Sequence, residues 1–217
     1  MNLGKTIQSA VRSKYFWQWV STTVGGSLVA LILTQITFSI AKRLPLLMGP
    51  GFGITLGLCL GLSAGVFQWW ILHKHFHAAH EWIIATAFAS VASLFLQEPA
   101  IAALSALTEA NYFLVGVIAS VVVTGVVIGI AQWIVLVERV KGAWVWIPTT
   151  LLAQLLVNLL SVRMSIDRTA SPSIFAMVQS IAFIVGQTVL RGFVRGAITG
   201  IPMAKFIEQE RKRKQKP

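Results

Sequence analysis

Two arginines four residues apart, Arg191 and Arg195, are the residues whose type and position most strongly predict chemistry in this chain. They lie in an apolar stretch near the C-terminus, and a spacing of four places both on one face of a helix. A guanidinium inside a membrane is costly, so it usually faces the interior of a helix bundle, pairs with a partner or lines an ion path. The pair therefore predicts an anion site for a lipid phosphate, a carboxylate or a small oxyanion. The alternative is that the last span covers only residues 173–190 and both arginines lie at the cytoplasmic interface.

A second candidate is a histidine-rich loop that follows an earlier apolar stretch. On a helix His73 and His77 share a face, as do His77, His80 and Glu81, and imidazole is a ligand for zinc, copper, nickel or haem iron. The loop with the same flanking residues, 137–145, contains no histidine, and no second cluster of His or Cys would complete a closed ligand shell. A metal site at these histidines therefore stays open beside the alternative of interfacial histidines that titrate with pH. No cofactor is predicted.

Polar residues inside other apolar stretches give further candidate sites. Glu98 lies sixteen residues after Trp82, about 24 Å along a helix. At that depth it could bind a proton or a cation, or be solvated at the outer boundary of the membrane. Gln68 and Gln132 could contribute to a polar ring that narrows a pore, or form interhelical hydrogen bonds that fix the packing. The threonines that would join this ring are Thr23, Thr86 and Thr150.

The remaining sequence lacks the patterns of an enzyme active site. We find no spacing of nucleophile, base and orienting group, no glycine loop that would cradle a phosphate beside a Lys-Ser/Thr, and no paired catalytic carboxylates. The chain is therefore predicted not to be an enzyme.

The composition indicates which kind of protein must position these residues. The 217 residues are 56% hydrophobic and 12% charged, and a mean hydropathy of +0.75 is too apolar for an ordinary soluble domain. The net charge of +11 is concentrated at the ends and in short loops, where it indicates the cytoplasmic side and contact with anionic lipid headgroups rather than nucleic acid. The sequence therefore predicts an integral membrane protein.

A repeated motif organises the apolar stretches. Gly-x-x-x-Gly-x-x-Gln-Trp occurs at 61–69 and again at 125–133, and small residues four apart allow close helix packing in a membrane. In a third copy Met203 stands where the glutamine would be. The glycines predicted to pack helices are Gly57, Gly61, Gly65, Gly125, Gly129, Gly196 and Gly200. The fold prediction is all-α, with six transmembrane helices as three parallel two-helix repeats in a pseudo-threefold bundle.

The domain boundaries follow from this repeat. Residues 1–15 are predicted to be a basic interfacial N-terminus, residues 16–206 the six-helix domain, and residues 207–217 a basic cytoplasmic tail. The repeats are expected to cover about 16–80, 81–143 and 144–206. With an even number of spans and more Lys and Arg on one side, both termini are predicted to be cytoplasmic.

Two local features of the spans are also predicted. Trp17 and Trp19 are expected to mark the membrane boundary, where amphipathic rings collect. Pro99 is expected to kink or stop the third span near its far end.

The Gly-x-x-x-Gly-x-x-Gln-Trp-x-x-Leu repeat, followed by a short basic or histidine-containing loop and a Trp, resembles a loose group of uncharacterised bacterial polytopic membrane proteins. The resemblance extends from about Trp17 to Lys205. Its motifs are packing motifs, so it implies a fold and a location in a bacterial inner or photosynthetic membrane rather than an activity. His73 and Lys74 depart from the arginine-rich pair that is more usual in the group.

These observations give three alternatives for function. The leading expectation is a scaffold, assembly factor or accessory subunit without catalysis, which binds another membrane protein or a second copy of itself within the lipid bilayer. The next is a small transporter or channel with an anion-attracting interior at Arg191 and Arg195. The third is a membrane-embedded lipid enzyme, or a metal site, at the histidine loop.

Overall fold

The structure is a computed structural model that describes residues 3–43, 50–76, 79–108, 112–165 and 174–215. Within these ranges the secondary structure is helical, and no β-strand is present. A short 3-10 turn, Ala143–Val145, precedes the sixth α-helix. The α-helices are α1 (Leu3–Arg12), α2 (Lys14–Ala41), α3 (Pro50–Leu72), α4 (His80–Leu107), α5 (Tyr112–Val137), α6 (Trp146–Ser165) and α7 (Ile174–Lys214).

Helices α2 to α7 are each long and apolar enough to cross a membrane. Large apolar side chains such as Phe88, Ile134 and Leu159 are exposed on their outer surfaces, as expected where lipid rather than water is the surrounding solvent. The prediction of an all-α chain with six helices long and apolar enough to span a membrane is confirmed over the described residues.

Two helices continue past positions that the sequence singled out. Helix α4 does not stop at Pro99 but continues to Leu107, because leaving the helix inside an apolar environment would expose backbone groups that nothing else satisfies. Helix α7 continues through the predicted tail to Lys214. Ile207 and Glu210 are buried there, so the first part of the tail packs on the bundle.

The six long helices form a ring in which each contacts its two neighbours. Helix α2 packs against α3, α3 against α4, and so on to α7, which packs against α2 and closes the ring. The amphipathic helix α1 lies against α2 and α7. The N-terminal and C-terminal helices are therefore held together at one end of the bundle.

The largest cluster of buried apolar side chains lies at that same end. It contains Trp19, which is 0% exposed. The prediction that Trp19 marks the lipid boundary is therefore wrong, because its ring points into the bundle interior. Trp17, two residues earlier, faces outward and is 49% exposed.

Candidate functional site

Three tryptophans meet inside the bundle and form a layer across it. Trp19, Trp82 and Trp146, called here the tryptophan layer, come from α2, α4 and α6 and are at most 1% exposed. Their ring centroids are 5.5 to 6.0 Å apart and all three pairs are edge-to-face, the arrangement that aromatic quadrupoles favour. The layer fills the interior at the end of the bundle where α1 and the C-terminal part of α7 lie.

Each indole of the tryptophan layer donates a hydrogen bond to the helix that precedes its own in the ring. Trp82 Nε1 donates to Gln68 Oε1 and Trp146 Nε1 donates to Gln132 Oε1, each over 2.9 Å. Gln132 Nε2 in turn donates to Thr86 Oγ1 at 3.0 Å. The structure thus places both predicted glutamines in interhelical hydrogen bonds, where each amide oxygen accepts from an indole.

The third indole bond uses a residue that sequence reasoning missed. Trp19 Nε1 donates to Thr199 Oγ1 at 2.9 Å, while Met203, at the position of the missing glutamine, is fully buried. The signal was present in the sequence, because Thr199 lies one helical turn before Met203 and therefore on the same side of α7.

A polar stripe continues along α7 from Thr199 into the bundle. It consists of Gln187, Arg191, Arg195 and Thr199, spaced four apart, and is called here the arginine stripe. Arg195 Nη2 donates to Gln154 Oε1 of α6 at 2.8 Å, and Arg191 Nη2 donates to Gln187 Oε1 at 2.9 Å. Sequence reasoning missed both glutamines as partners, although Gln187 shares the four-residue spacing with Arg191.

The arginine stripe carries positive charge without a matching carboxylate among the described residues. The ion pairs of the described residues lie away from the arginine stripe. They join Arg139 to Glu81 at 2.8 Å and Arg213 to Glu210 at 3.7 Å. The Nε of Arg191 is a buried donor without a hydrogen-bond acceptor. Two half-buried guanidiniums held by neutral amide oxygens leave the local charge uncompensated, which is costly in an apolar surrounding.

Three hydroxyl groups on the helices beside the arginine stripe have their protons engaged. Thr23 donates to the carbonyl of Trp19, Ser27 to that of Thr23, and Thr150 to that of Trp146. These side chains can accept hydrogen bonds but have no free proton for an anion. The guanidiniums are the charged donors that could bind an anionic group at this level.

The glycines predicted to pack helices lie at close helix contacts. A Cβ added at Gly57, Gly61 or Gly65 would lie within about 3 Å of the backbone of α4, and one at Gly125 or Gly129 would lie similarly close to α6. On α7, Gly192 and Gly196 pack against the backbone of α2, and Gly200 meets the rings of Phe16 and Trp19. Gly192 was not predicted, although it continues the spacing of four.

The histidine loop and Glu98 are not brought together with the arginine stripe. Glu98 is exposed near the far end of α4, and His73 stacks on Trp69 with ring centroids 4.7 Å apart. His80 is exposed, and His77 lies outside the described residues. Within the described ranges no three His, Cys, Asp or Glu side chains are placed to hold a metal ion, so the metal site stays a prediction.

Comparison of the chain with protein-family models, with curated proteins and with solved structures finds no match.

Proposed function

We propose that this protein binds a small oxyanion in the interior of its helix bundle and carries it across the membrane. The observation that supports the proposal is the arginine stripe, in which Arg191 and Arg195 have amide partners but no carboxylate among the described residues. An oxyanion at this site would neutralise the charge and give the buried Arg191 Nε an acceptor. Because guanidinium forms paired hydrogen bonds with planar or tetrahedral oxyanions, sulfate, phosphate and carboxylates are the expected ligand class.

The depth of the arginines supports an intramembrane site. Trp17 and Trp70 are exposed aromatic rings at the end of the bundle that carries the tryptophan layer, and such rings collect at the membrane boundary. Thr199 lies at the level of this layer because it accepts from Trp19. At 1.5 Å per residue, Arg195 is about 6 Å and Arg191 about 12 Å deeper. In a core about 30 Å thick, this depth supports a position of Arg191 inside the hydrocarbon region.

In this proposal the anion passes through the interior of the bundle, and the tryptophan layer is the closed gate of that path. Its three rings occupy the interior between the arginine stripe and one end of the bundle, and each indole N–H is hydrogen-bonded across a helix interface. Passage of an anion therefore requires the rings to separate, for example by tilting the two-helix units relative to one another.

The proposal also includes a pseudo-threefold arrangement of the helices and cytoplasmic termini. Each indole of the tryptophan layer bonds to the preceding helix in the ring, from α4 to α3, from α6 to α5 and from α2 to α7. This cyclic pattern supports three two-helix units around a pseudo-threefold axis. The basic residues at the same end support cytoplasmic termini.

Uptake into liposomes tests the proposed function. Purified protein is reconstituted and uptake of labelled sulfate and labelled inorganic phosphate is measured. We expect uptake above protein-free liposomes, reduced at least tenfold by Arg191→Ala combined with Arg195→Ala. The matched control is Arg211→Ala with Lys212→Ala, which removes the same charge from the exposed end of α7 and should retain uptake.

A binding measurement separates loss of function from loss of folding. Sulfate should raise the melting temperature of the wild type in detergent and leave that of the arginine variant unchanged. If the wild type neither takes up nor binds these anions and instead purifies in a discrete assembly with another membrane protein, the scaffold expectation replaces the transport proposal.

A further inference from the structure

A groove on the outer surface lies between the ends of α2 and α3. It has a volume of about 370 Å³, within the range of small-molecule sites. We call it the corner groove; the residues that define it are Trp17, Gln18, Ser21, Trp70, Lys74 and His75. It lies outside the ring of helices and is independent of the arginine stripe and of the proposed transport.

The two tryptophans place the corner groove at the membrane boundary. Trp17 and Trp70 are 49% and 62% exposed, so both rings face the surroundings rather than the protein core. Indole rings in such positions favour the headgroup region of a bilayer. The groove therefore opens where the phosphate and glycerol groups of phospholipids lie.

The polar side chains of the corner groove need a polar environment. Gln18 and Ser21 are exposed on the outer face of α2, three residues apart and therefore on one side of the helix. An amide and a hydroxyl exposed to hydrocarbon would be costly, whereas a lipid headgroup offers acceptors to both.

The charge at the corner groove is positive. Lys74 lines it, Lys214 Nζ donates to the backbone oxygen of His75 at 2.8 Å, and none of the described lining residues carries a carboxylate. The pKa of His75 is lowered, first by burial and then by Lys214, Lys14, Lys74 and His73. The groove therefore combines a positive potential with a histidine that stays neutral near pH 7.

An apolar track leads from the corner groove along α3. Leu62, Val66 and Trp70 are exposed and spaced four apart, so they form one outward-facing strip. An acyl chain lying on this strip would place its headgroup beside Lys74. Both halves of a phospholipid thus have a matching surface.

We propose that the corner groove binds a single anionic phospholipid, with its phosphodiester at Lys74, Gln18 and Ser21 and an acyl chain along α3. The ligand class is a glycerophospholipid of net negative charge, such as phosphatidylglycerol.

The next hairpin of the same chain lacks these features and serves as an internal comparison. At the positions reached by the repeat spacing, Glu138 stands in place of Lys74, Ile84 in place of Ser21, and Ile134 in place of Trp70. Of the two cations in that loop, Arg139 is paired with Glu81 at 2.8 Å, and Lys141 is exposed. The cation, the hydroxyl and the exposed indole that meet in the corner groove are thus absent from the corresponding positions of the next hairpin.

Quenching of tryptophan fluorescence tests the proposal. Delipidated full-length protein in neutral detergent is titrated with phosphatidylglycerol or phosphatidylcholine that carries brominated acyl chains. We expect saturable quenching with at least fivefold preference for phosphatidylglycerol. The quenched fraction should fall sharply in Trp17→Phe with Trp70→Phe, because these rings line the groove.

Charge-matched variants separate the groove from a general attraction of anionic lipid. Lys74→Gln should weaken phosphatidylglycerol binding at least fivefold, and Lys141→Gln, which removes an exposed cation from the next loop, should leave it unchanged. Equal weakening by both variants, or equal affinity for the two lipids, would overturn the proposal. Displacement of the lipid by millimolar inorganic phosphate would also overturn it, because the groove would then bind free phosphate.

Discussion

A buried indole N–H requires an acceptor, and the three tryptophans of the tryptophan layer obtain theirs in two ways. Trp82 and Trp146 use a glutamine fourteen residues earlier in the chain, whereas Trp19 uses Thr199 near the other end of it. The glutamine also bridges to a further helix where Gln132 donates to Thr86. Gln132 therefore links three helices at this level, while Thr199 links two.

Gln132→Met, which imitates the residue at 203, should lower the free energy of unfolding by about 1–2 kcal/mol. The change leaves the buried Trp146 N–H without its acceptor and removes the donor to Thr86. The measurement is an unfolding titration in SDS micelles for wild type, Gln132→Met, Trp146→Phe and the double variant.

The double variant distinguishes a hydrogen bond from general packing. Once Trp146 is replaced by Phe, no indole N–H remains to be left unpaired, so Gln132→Met should cost less in that background. A coupling energy of about 0.5–1.5 kcal/mol is expected for partners in direct contact. Strict additivity of the two substitutions would contradict the assigned hydrogen bond.

The sequence shows which residues are unusual for their surroundings but not which residues they contact. Arg191 and Arg195 stand out because charge in an apolar run is rare, and their common face follows from their spacing. Whether Arg195 reaches Gln154 depends on how α6 and α7 are rotated about their axes where they pack. That rotation is determined by tertiary contacts, which one sequence does not reveal. Trp19 was misplaced for the same reason, since an aromatic ring near a helix end can face either lipid or protein.

At the scale of helices, glycine determines which pairs approach closely. An added Cβ at Gly61 would lie 2.5 Å from the Cα of Ala87 and 2.8 Å from the carbonyl oxygen of Thr86. Both are backbone atoms, which cannot rotate away as a side chain could. Helices α3 and α4 must therefore separate if this position carries any side chain.

Gly61→Ala should lower the melting temperature in detergent by several degrees because it separates α3 from α4. The matched control is Gly186→Ala on α7, where no atom lies within 4 Å of the added Cβ. This control should be neutral or slightly stabilising, because alanine has the higher helix propensity. Equal destabilisation by the two substitutions would contradict the packing geometry.

The elements were predictable to the extent that spacing alone determines them. Glycines four apart indicated helix-packing faces, and apolar runs of about twenty residues indicated the spans. The sequence left a kink or a stop open at Pro99, and only the stop is wrong, because the chain in an apolar segment has no alternative to the helix. Helix α4 accordingly continues to Leu107.

At the scale of the whole molecule, the bundle is closed by contact between its first and last long helices. The glycines of α7 pack on α2, and Thr199 of α7 accepts a hydrogen bond from the indole of Trp19. The last of the six long helices therefore lies against the first. The motif repeat suggested such a closure, but the third unit has lost its Gln-Trp pair. Thr199 replaces the missing glutamine as the acceptor for Trp19. This role depends on the packing of α7 against α2, which the sequence alone does not show.

The ends of the long helices fall into two groups, one at each end of the ring, and this gives a prediction of topology. The end with the tryptophan layer carries many more cations than the opposite end, where Lys42 and Arg43 follow α2. Since Lys and Arg are retained in the cytoplasm, the tryptophan-layer end should be cytoplasmic. The cations at this end include Arg12, Lys14, Lys74, Arg139, Lys141, Lys205, Arg211, Lys212, Arg213 and Lys214.

Cysteine labelling of intact bacterial cells checks this orientation. The single native cysteine is first replaced by Cys59→Ser, and Lys42→Cys or Lys141→Cys is then introduced at an exposed position at either end. A membrane-impermeant maleimide should label the Lys42→Cys variant in intact cells and the Lys141→Cys variant only after permeabilisation. The reverse pattern would place the tryptophan layer on the outer side. The proposed gate would then face the environment, and the corner groove would bind lipid of the outer leaflet.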